Sequence, residues 1–268
     1  MKNVRKRLAT LALAFVVACT SLAPVTVNAA PYVNSSQTVY REQKKGTSYT
    51  SIYVGNLTKS QTIKKSSVKS SKTSVATLYY LEKNAYTSSY KTEYFEKGLT
   101  DYSNSYSEYY YYIGLKLKKA GSSKISFKIG SKSYSSTVKV YDYTNPVKQI
   151  KVGTTTVAGS KFKSANVYGA KNAKKLSNAK VTVSANDGWK ITRVEVEDKT
   201  TYEELQYSCS SNPKSTVTVQ YGTFAKNKPY TIDVTFYNTK TKAYMYVTYY
   251  MNYKKYTSSD GSIWYSRY

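Results

Sequence analysis

The sequence predicts an all-β protein: two β-sandwich domains in tandem behind a targeting segment. Three observations carry this. Apolar residues recur at period two in run after run, as in Ile125-Phe127-Ile129 and Tyr230-Ile232-Val234-Phe236; that spacing puts one face of a strand in a core and the other in solvent. Turn signals (Gly130-Ser131, Asn145-Pro146, Asn186-Asp187-Gly188) separate these runs at short intervals. Outside the first 29 residues no amphipathic helix of useful length is present, so a sandwich is favoured over a parallel α/β fold.

The N-terminus has the grammar of an export signal. Lys2, Arg5, Lys6 and Arg7 form a basic start, Leu8 to Ala18 an apolar stretch of 11 residues, and Val27-Asn28-Ala29 a small-residue cleavage site. The apolar stretch is too short to span a bilayer. Cleavage after Ala29 or Ala30 gives a secreted protein; the alternative is a lipid anchor on Cys19, after the lipobox-like Val16-Val17-Ala18. No later run is apolar enough to cross a membrane. Residues 30–46 are polar and read as a linker or an irregular first strand.

The first domain is expected over residues 47–143. Tyr49, Ile52 and Val54 mark a short strand, Thr62-Ile63-Lys64 another, Ser66 to Ser74 a loop, and Val75 to Leu81 a strand rich in β-branched and aromatic residues. Residues 79–112 are a tyrosine-rich insertion among Ser, Thr, Asn and Lys. They read as a solvated β extension or long loop, because a tyrosine ring packs on a strand face while its hydroxyl stays wet. Next, Ile113, Leu115 and Leu117 alternate with Gly114, Lys116 and Lys118. The hairpin that follows is the most tightly specified stretch. Gly130 opens a two-residue loop and reaches positive φ without steric cost. That loop sets Phe127 opposite Tyr134 and Ile125 opposite Ser136.

Two blocks, TSVATL (Thr73 to Leu78) and GLKLKKAGSSKISFKIGSKSYSSTVKV (Gly114 to Val140), resemble bacterial Ig-like domains of the BIG2 type. The resemblance covers roughly residues 47–143. Residues 79–112 stand where compact members of that family have a short strand and turn. The resemblance implies an Ig-like sandwich on an exported surface protein and no catalytic residue, since the fold is a scaffold with many uses.

The second domain is expected over 147–251. Val181, Val183 and Ala185 alternate. Trp189 and Ile191 share one phase while Val194 and Val196 share the other, a slip that places a bulge near Thr192-Arg193. Met245, Val247, Tyr249 and Met251 form the last clean run. Residues 252–268 are a polar, aromatic tail, either an edge strand or a frayed end.

Composition narrows the chemistry. The chain holds 41 Lys and Arg, 15 Asp and Glu, and no His. Ser-His-Asp and Cys-His sites and His-based zinc sites are therefore impossible. No catalytic residue, metal site or cofactor is assigned. Cys209 cannot form an internal disulfide once the leader is gone, and reads as a small residue in a Ser-rich loop. Glu195 and Glu197 project from one strand face. They are either a weak Ca²⁺ site or solvated acids paired with lysines, and no Asp-x-Asp-x-Asp-Gly loop supports the former.

Beyond the leader only Arg41, Arg193 and Arg267 are arginines, so the positive charge is lysine charge. Such charge is diffuse and salt-sensitive rather than bidentate. The expected partners are anionic cell-wall polymers or glycans, not intracellular nucleic acid. Candidate contacts are aromatic: Tyr109, Tyr110, Tyr111 and Tyr112; the alternate Tyr244, Tyr246 and Tyr250; and Trp264. Each could instead fill sheet surface in a chain with 32 Tyr and 6 Phe. The function expected is a secreted, non-enzymatic envelope module, cell-wall associated, that binds anionic or glycan surfaces. The alternative is a spacer or accessory subunit with no ligand of its own. The sequence does not fix the oligomeric state.

Overall fold

The computed structural model describes residues 30–92, 102–172 and 174–267. The leader, with Cys19 and Ala29, lies outside the described residues, as do Tyr94 and Phe95. Among the described residues no helix is long and apolar enough to cross a membrane.

The chain folds into two β-sandwiches. The first is built from β1 (Tyr32–Val33), β2 (Ser36–Tyr40), β3 (Ser48–Leu57), β4 (Lys69–Ser70), β5 (Ala76–Thr92), β6 (Tyr102–Leu117), β7 (Gly121–Ile129) and β8 (Lys132–Tyr141). One sheet has the order β1-β3-β6-β5, the other β2-β8-β7-β4. Their inner faces meet through Ile52, Val54, Ile113, Leu115, Ile125, Phe127, Val138 and Val140, all buried. The β7–β8 hairpin has the register its alternation dictates, with Phe127 opposite Tyr134 and Ile125 opposite Ser136. Gly130 sits at φ +59°. The Phe127 and Tyr134 rings are stacked, 6.2 Å apart, a cross-strand pair worth about 0.2–1 kcal/mol.

The second sandwich comprises β9 (Val147–Val152), β10 (Thr155–Ala158), β11 (Val167–Ala170), β12 (Leu176–Ala185), β13 (Trp189–Asp198), β14 (Glu204–Ser208), β15 (Thr216–Phe224), β16 (Tyr230–Asn238) and β17 (Tyr244–Met251). Its sheets run β10-β9-β12-β15 and β11-β17-β16-β13-β14. The β13–β16 ladder slips between Ile191 and Arg193, where the phase change in the sequence puts a bulge. Cys209 is buried, and its thiol donates to the Ile191 carbonyl at 3.1 Å.

Several local expectations are corrected. Of the two readings of residues 30–46, linker or first strand, the chain takes the strand: β1 pairs with β3, and β2 lies parallel to β8. Thr62–Lys64 joins no sheet. It leads into a 3-10 turn at Lys65–Ser67, with Ile63 buried beneath. The loop expected over Ser66 to Ser74 holds β4, paired with β7. Between β10 and β12 the chain also forms β11, parallel to β17. The tail is a hairpin of β18 (Lys254–Thr257) and β19 (Ile263–Ser266).

The segment after β2 joins the sandwiches. The Arg41 N–H donates to Tyr141 of the first at 2.8 Å, while Lys44 N–H donates to Ser164 of the second and Asn166 N–H donates back to Glu42, both at 2.8 Å. Tyr40 packs between Tyr141 and Trp189, at 5.4 and 5.1 Å. Below it, the buried Tyr143 hydroxyl is shared between the Phe162 and Ala165 carbonyls at 2.6 and 2.8 Å.

The tail hairpin is seated on this joint. Thr47 N–H donates to Ser262 Oγ at 3.0 Å, and Ile263 N–H to Gln43 Oε1 at 3.0 Å. A Cβ on Gly46 would lie 2.6 Å from the Ser262 nitrogen, so only glycine permits the approach. Asp260 ties the two parts together. It accepts from Thr47 Oγ1 at 2.7 Å, from Ser262 N–H at 3.0 Å and from the Ser258 hydroxyl. These bonds hold its carboxyl well below the usual carboxylate range. A depressed pKa means the contribution is present above the ordinary Asp value of about 3.9 and is lost as pH falls through the lower folded value. The hairpin is therefore expected to loosen only under strong acid. Asp260→Ala is expected to loosen it at neutral pH, seen as faster amide exchange at residues 43–47 and 254–266 with both cores still protected. Unchanged exchange there would contradict this seating.

Candidate functional site

The outer face of the β1-β3-β6-β5 sheet is laid with tyrosine. Strand alternation turns Tyr49, Ser51 and Tyr53 of β3 outward while Ile52 and Val54 enter the core. Across the ladder Tyr53 is opposite Tyr112. Its ring lies 5.7 Å from Tyr112, 5.6 Å from Tyr110 and 6.3 Å from Tyr32. The Tyr53 hydroxyl donates to Glu108 Oε1 at 3.3 Å, and the same oxygen accepts from the Asn56 N–H at 3.2 Å. Burial, then the Glu108 charge, raise the Tyr53 pKa, so the phenol stays neutral and able to donate.

A bulge completes the face. The β5–β6 register shifts between Leu78 and Tyr80, leaving Tyr79 as an extra residue that projects outward, 56% exposed. Its ring packs on Tyr49 at 4.6 Å. Tyr80 lies across β6, where Gly114 leaves room: a Cβ there would meet the Tyr80 ring at 2.1 Å. Tyr32, Tyr49, Tyr79, Tyr80 and Tyr86 are all exposed. Rings displayed this densely form a contiguous apolar patch whose hydroxyls remain available for hydrogen bonds.

Beside this face lies a cleft of about 300 Å³ between the sandwiches. Tyr49 and Val39 line it from the first, Tyr244 and Tyr246 from the second, with Glu42 of the joint between them. Loss of water around the Glu42 carboxyl raises its pKa. Tyr246 is 69% exposed and Tyr244 50%. Tyr49 thus belongs both to the cleft and to the tyrosine face.

The candidate residues read from the sequence fall into separate places. Tyr109 to Tyr112 do not form one platform, because a strand sends successive side chains to opposite sides. Tyr110 and Tyr112 join Tyr53 on the outer face. Tyr111 is buried in the first core, and Tyr109 packs against that core beneath Lys83, whose ammonium lies 5.2 Å from its ring. Tyr244 and Tyr246 line the cleft. Tyr250 shares their phase but is covered by the tail hairpin, with Tyr265 stacked on it at 5.0 Å. Trp264 is exposed on that hairpin, stacked on Tyr256 at 5.8 Å. The candidates passed over are Tyr49, Tyr53, Tyr79 and Tyr80. The alternation Tyr49-Ser51-Tyr53 and the small residue Gly114 on the facing strand were the available signals.

The acid-rich strand assembles no metal site. Glu195 pairs with Arg193, and Glu197 with Lys199. Among the described residues no group of three or more His, Cys, Asp and Glu could hold a metal ion.

No protein-family model matches the chain. No curated protein matches it either. Among solved structures it is similar to domains 4–9 of the surface layer protein SbsC, at 15% identity and a TM-score of 0.26, covering 87% of this chain and 32% of that one. It is similar to domains 5–6 of the S-layer protein SbsC at 16% identity and 0.25, covering 82% and 98%. For zebrafish RET cadherin-like domains 1 to 4 the values are 10% identity and 0.26, covering 82% and 50%. At such values the likenesses carry no argument about what this chain does.

Proposed function

We propose that the chain is a secreted, non-enzymatic bacterial envelope module that binds glycan surfaces through its tyrosine face, with its lysine charge adding affinity for anionic polymers. The carrying observation is the tyrosine-laid outer face of the β1-β3-β6-β5 sheet, continuous at Tyr49 with the cleft that holds Tyr244 and Tyr246. A sugar ring offers an apolar C–H face and equatorial hydroxyls. Tyrosine meets both, with a flat ring and a neutral hydroxyl. The export-type leader and the likeness of residues 47–143 to BIG2-type domains support placement outside the cell.

The test is co-sedimentation of the purified protein with insoluble cell-wall material over a salt series. Stacking on sugar survives high salt, whereas lysine-driven attraction is screened. A salt-resistant bound fraction is expected, with a further fraction gained at low salt. No association even at low ionic strength would overturn the reading and leave a spacer or accessory subunit with no ligand of its own.

A further inference from the structure

A second groove lies on the second sandwich, where the tail hairpin docks beside β11. It encloses about 380 Å³. Lys161, Lys163, Lys171 and Lys255 rim it, and no acidic residue lines it. All four lysines are exposed, and none belongs to the ion pairs found among the described residues. Between the ammonium groups the walls are aromatic. Tyr168 stacks on Tyr249 at 6.0 Å, and Tyr265 on Tyr250 at 5.0 Å. The Lys161 ammonium lies 5.9 Å from the Tyr168 ring, and Arg267 donates to the Tyr253 hydroxyl at 3.3 Å at the groove's end. The hairpin contributes Lys255, Ile263 and Tyr265 to this groove. Tyr265 reaches its place only because residue 169 is glycine, since a Cβ there would lie 2.4 Å from the ring.

We infer that this groove binds a linear phosphodiester polymer with polyol or sugar units between its phosphates. Unpaired ammonium groups around a cleft without carboxylates complement a chain of anions. The rings between them give the carbon skeleton an apolar surface, which a bare polyphosphate would not use. Lysine rather than arginine along the rim fits charge-matching to a flexible backbone better than bidentate clamping of one fixed phosphate. The choice of an envelope polymer rests on the proposed location outside the cell; the charge and shape of the groove do not.

The test measures binding of poly(glycerol phosphate) to the purified protein over a salt series. Polygalacturonate, inorganic polyphosphate and anionic lipid vesicles are run beside it. Wild-type protein is expected to bind poly(glycerol phosphate) more tightly than the other three, with affinity falling steeply with salt. The exposed lysines can be changed without touching a core. The variant K161Q/K163Q/K171Q/K255Q is expected to lose at least about tenfold in affinity, and its slope of log affinity against log salt should fall by about three. The variant Y49A/Y79A/Y80A should keep wild-type binding to this polymer, which separates failure here from failure of the tyrosine-face reading. Wild-type affinity in the lysine variant would overturn the inference. So would equal or tighter binding of any of the three comparison anions.

Discussion

Trp189→Ala is expected to cost about 3–5 kcal/mol of stability, the range for truncating a large buried aromatic. Trp189 opens β13 directly after the Asn186-Asp187-Gly188 turn and is 5% exposed. It packs in the core of the second sandwich and also meets Tyr40, the last residue of β2 in the first, at 5.1 Å. Tyr40 adds a hydroxyl contact to Thr241 Oγ1 at 3.0 Å. One ring thus fills a core and supports the joint. Removing it should lower the denaturation midpoint and also raise amide exchange at Lys44 and Asn166, whose partners lie across the joint. Trp264→Ala serves as the control. That ring is exposed on the tail hairpin, so its loss should change stability by no more than about 0.5 kcal/mol. A cost below about 1 kcal/mol for Trp189→Ala would contradict this packing.

The second large effect is alkaline lability. Burial holds the Tyr249 phenol up at about 12, with the neighbouring Tyr168 adding to the shift. Burial pushes Tyr143 higher still. A phenol is neutral in its protonated form, so a raised folded pKa means the fold favours the proton. The corresponding stability is complete below the ordinary tyrosine value of about 10 and is lost as pH rises through the folded value. For Tyr249, 2% exposed, the shift corresponds to about 2–3 kcal/mol lost between pH 10 and 12. Denaturation midpoints measured across that window should fall steeply, and Tyr249→Phe should flatten part of the fall. Tyr143→Phe acts differently. It strips the Phe162 and Ala165 carbonyls of their shared donor and should cost about 1–3 kcal/mol already at neutral pH. Midpoints that stay level up to pH 12 would contradict the burial of these phenols.

The parts of the fold legible in the sequence are those whose determinants are local. Gly130 and the flanking alternation fix the β7–β8 register without reference to anything distant. The phase change between Ile191 and Val194 marks the bulge in the same way. The joint was hidden because its partners are remote: Arg41 bonds to Tyr141, and Lys44 to Ser164. The parallel pairs β2–β8 and β11–β17 likewise have no connecting turn to announce them. The tail hairpin depends on Gly46 and Thr47, more than two hundred residues upstream.

The candidate site was half legible for a related reason. Composition points to tyrosine but not to a face. Applied to Tyr109–Tyr112, strand alternation in phase with Ile113 and Leu115 puts Tyr109 and Tyr111 on the inner side of the sheet, away from Tyr110 and Tyr112. The contribution of Tyr79 depends on a bulge that no residue type near Leu78 signals.

The most direct test of the tyrosine face is binding of neutral cell-wall polysaccharide at high salt, where lysine charge is screened. Wild-type protein is compared with Y49A/Y79A/Y80A and with Tyr202→Ala, which removes an exposed ring elsewhere. Three aromatic contacts worth about 0.5–1.5 kcal/mol each amount to at least tenfold in affinity. The triple variant should lose that much while keeping the wild-type denaturation midpoint, and Tyr202→Ala should bind as wild type. Undiminished binding by the triple variant would contradict the account.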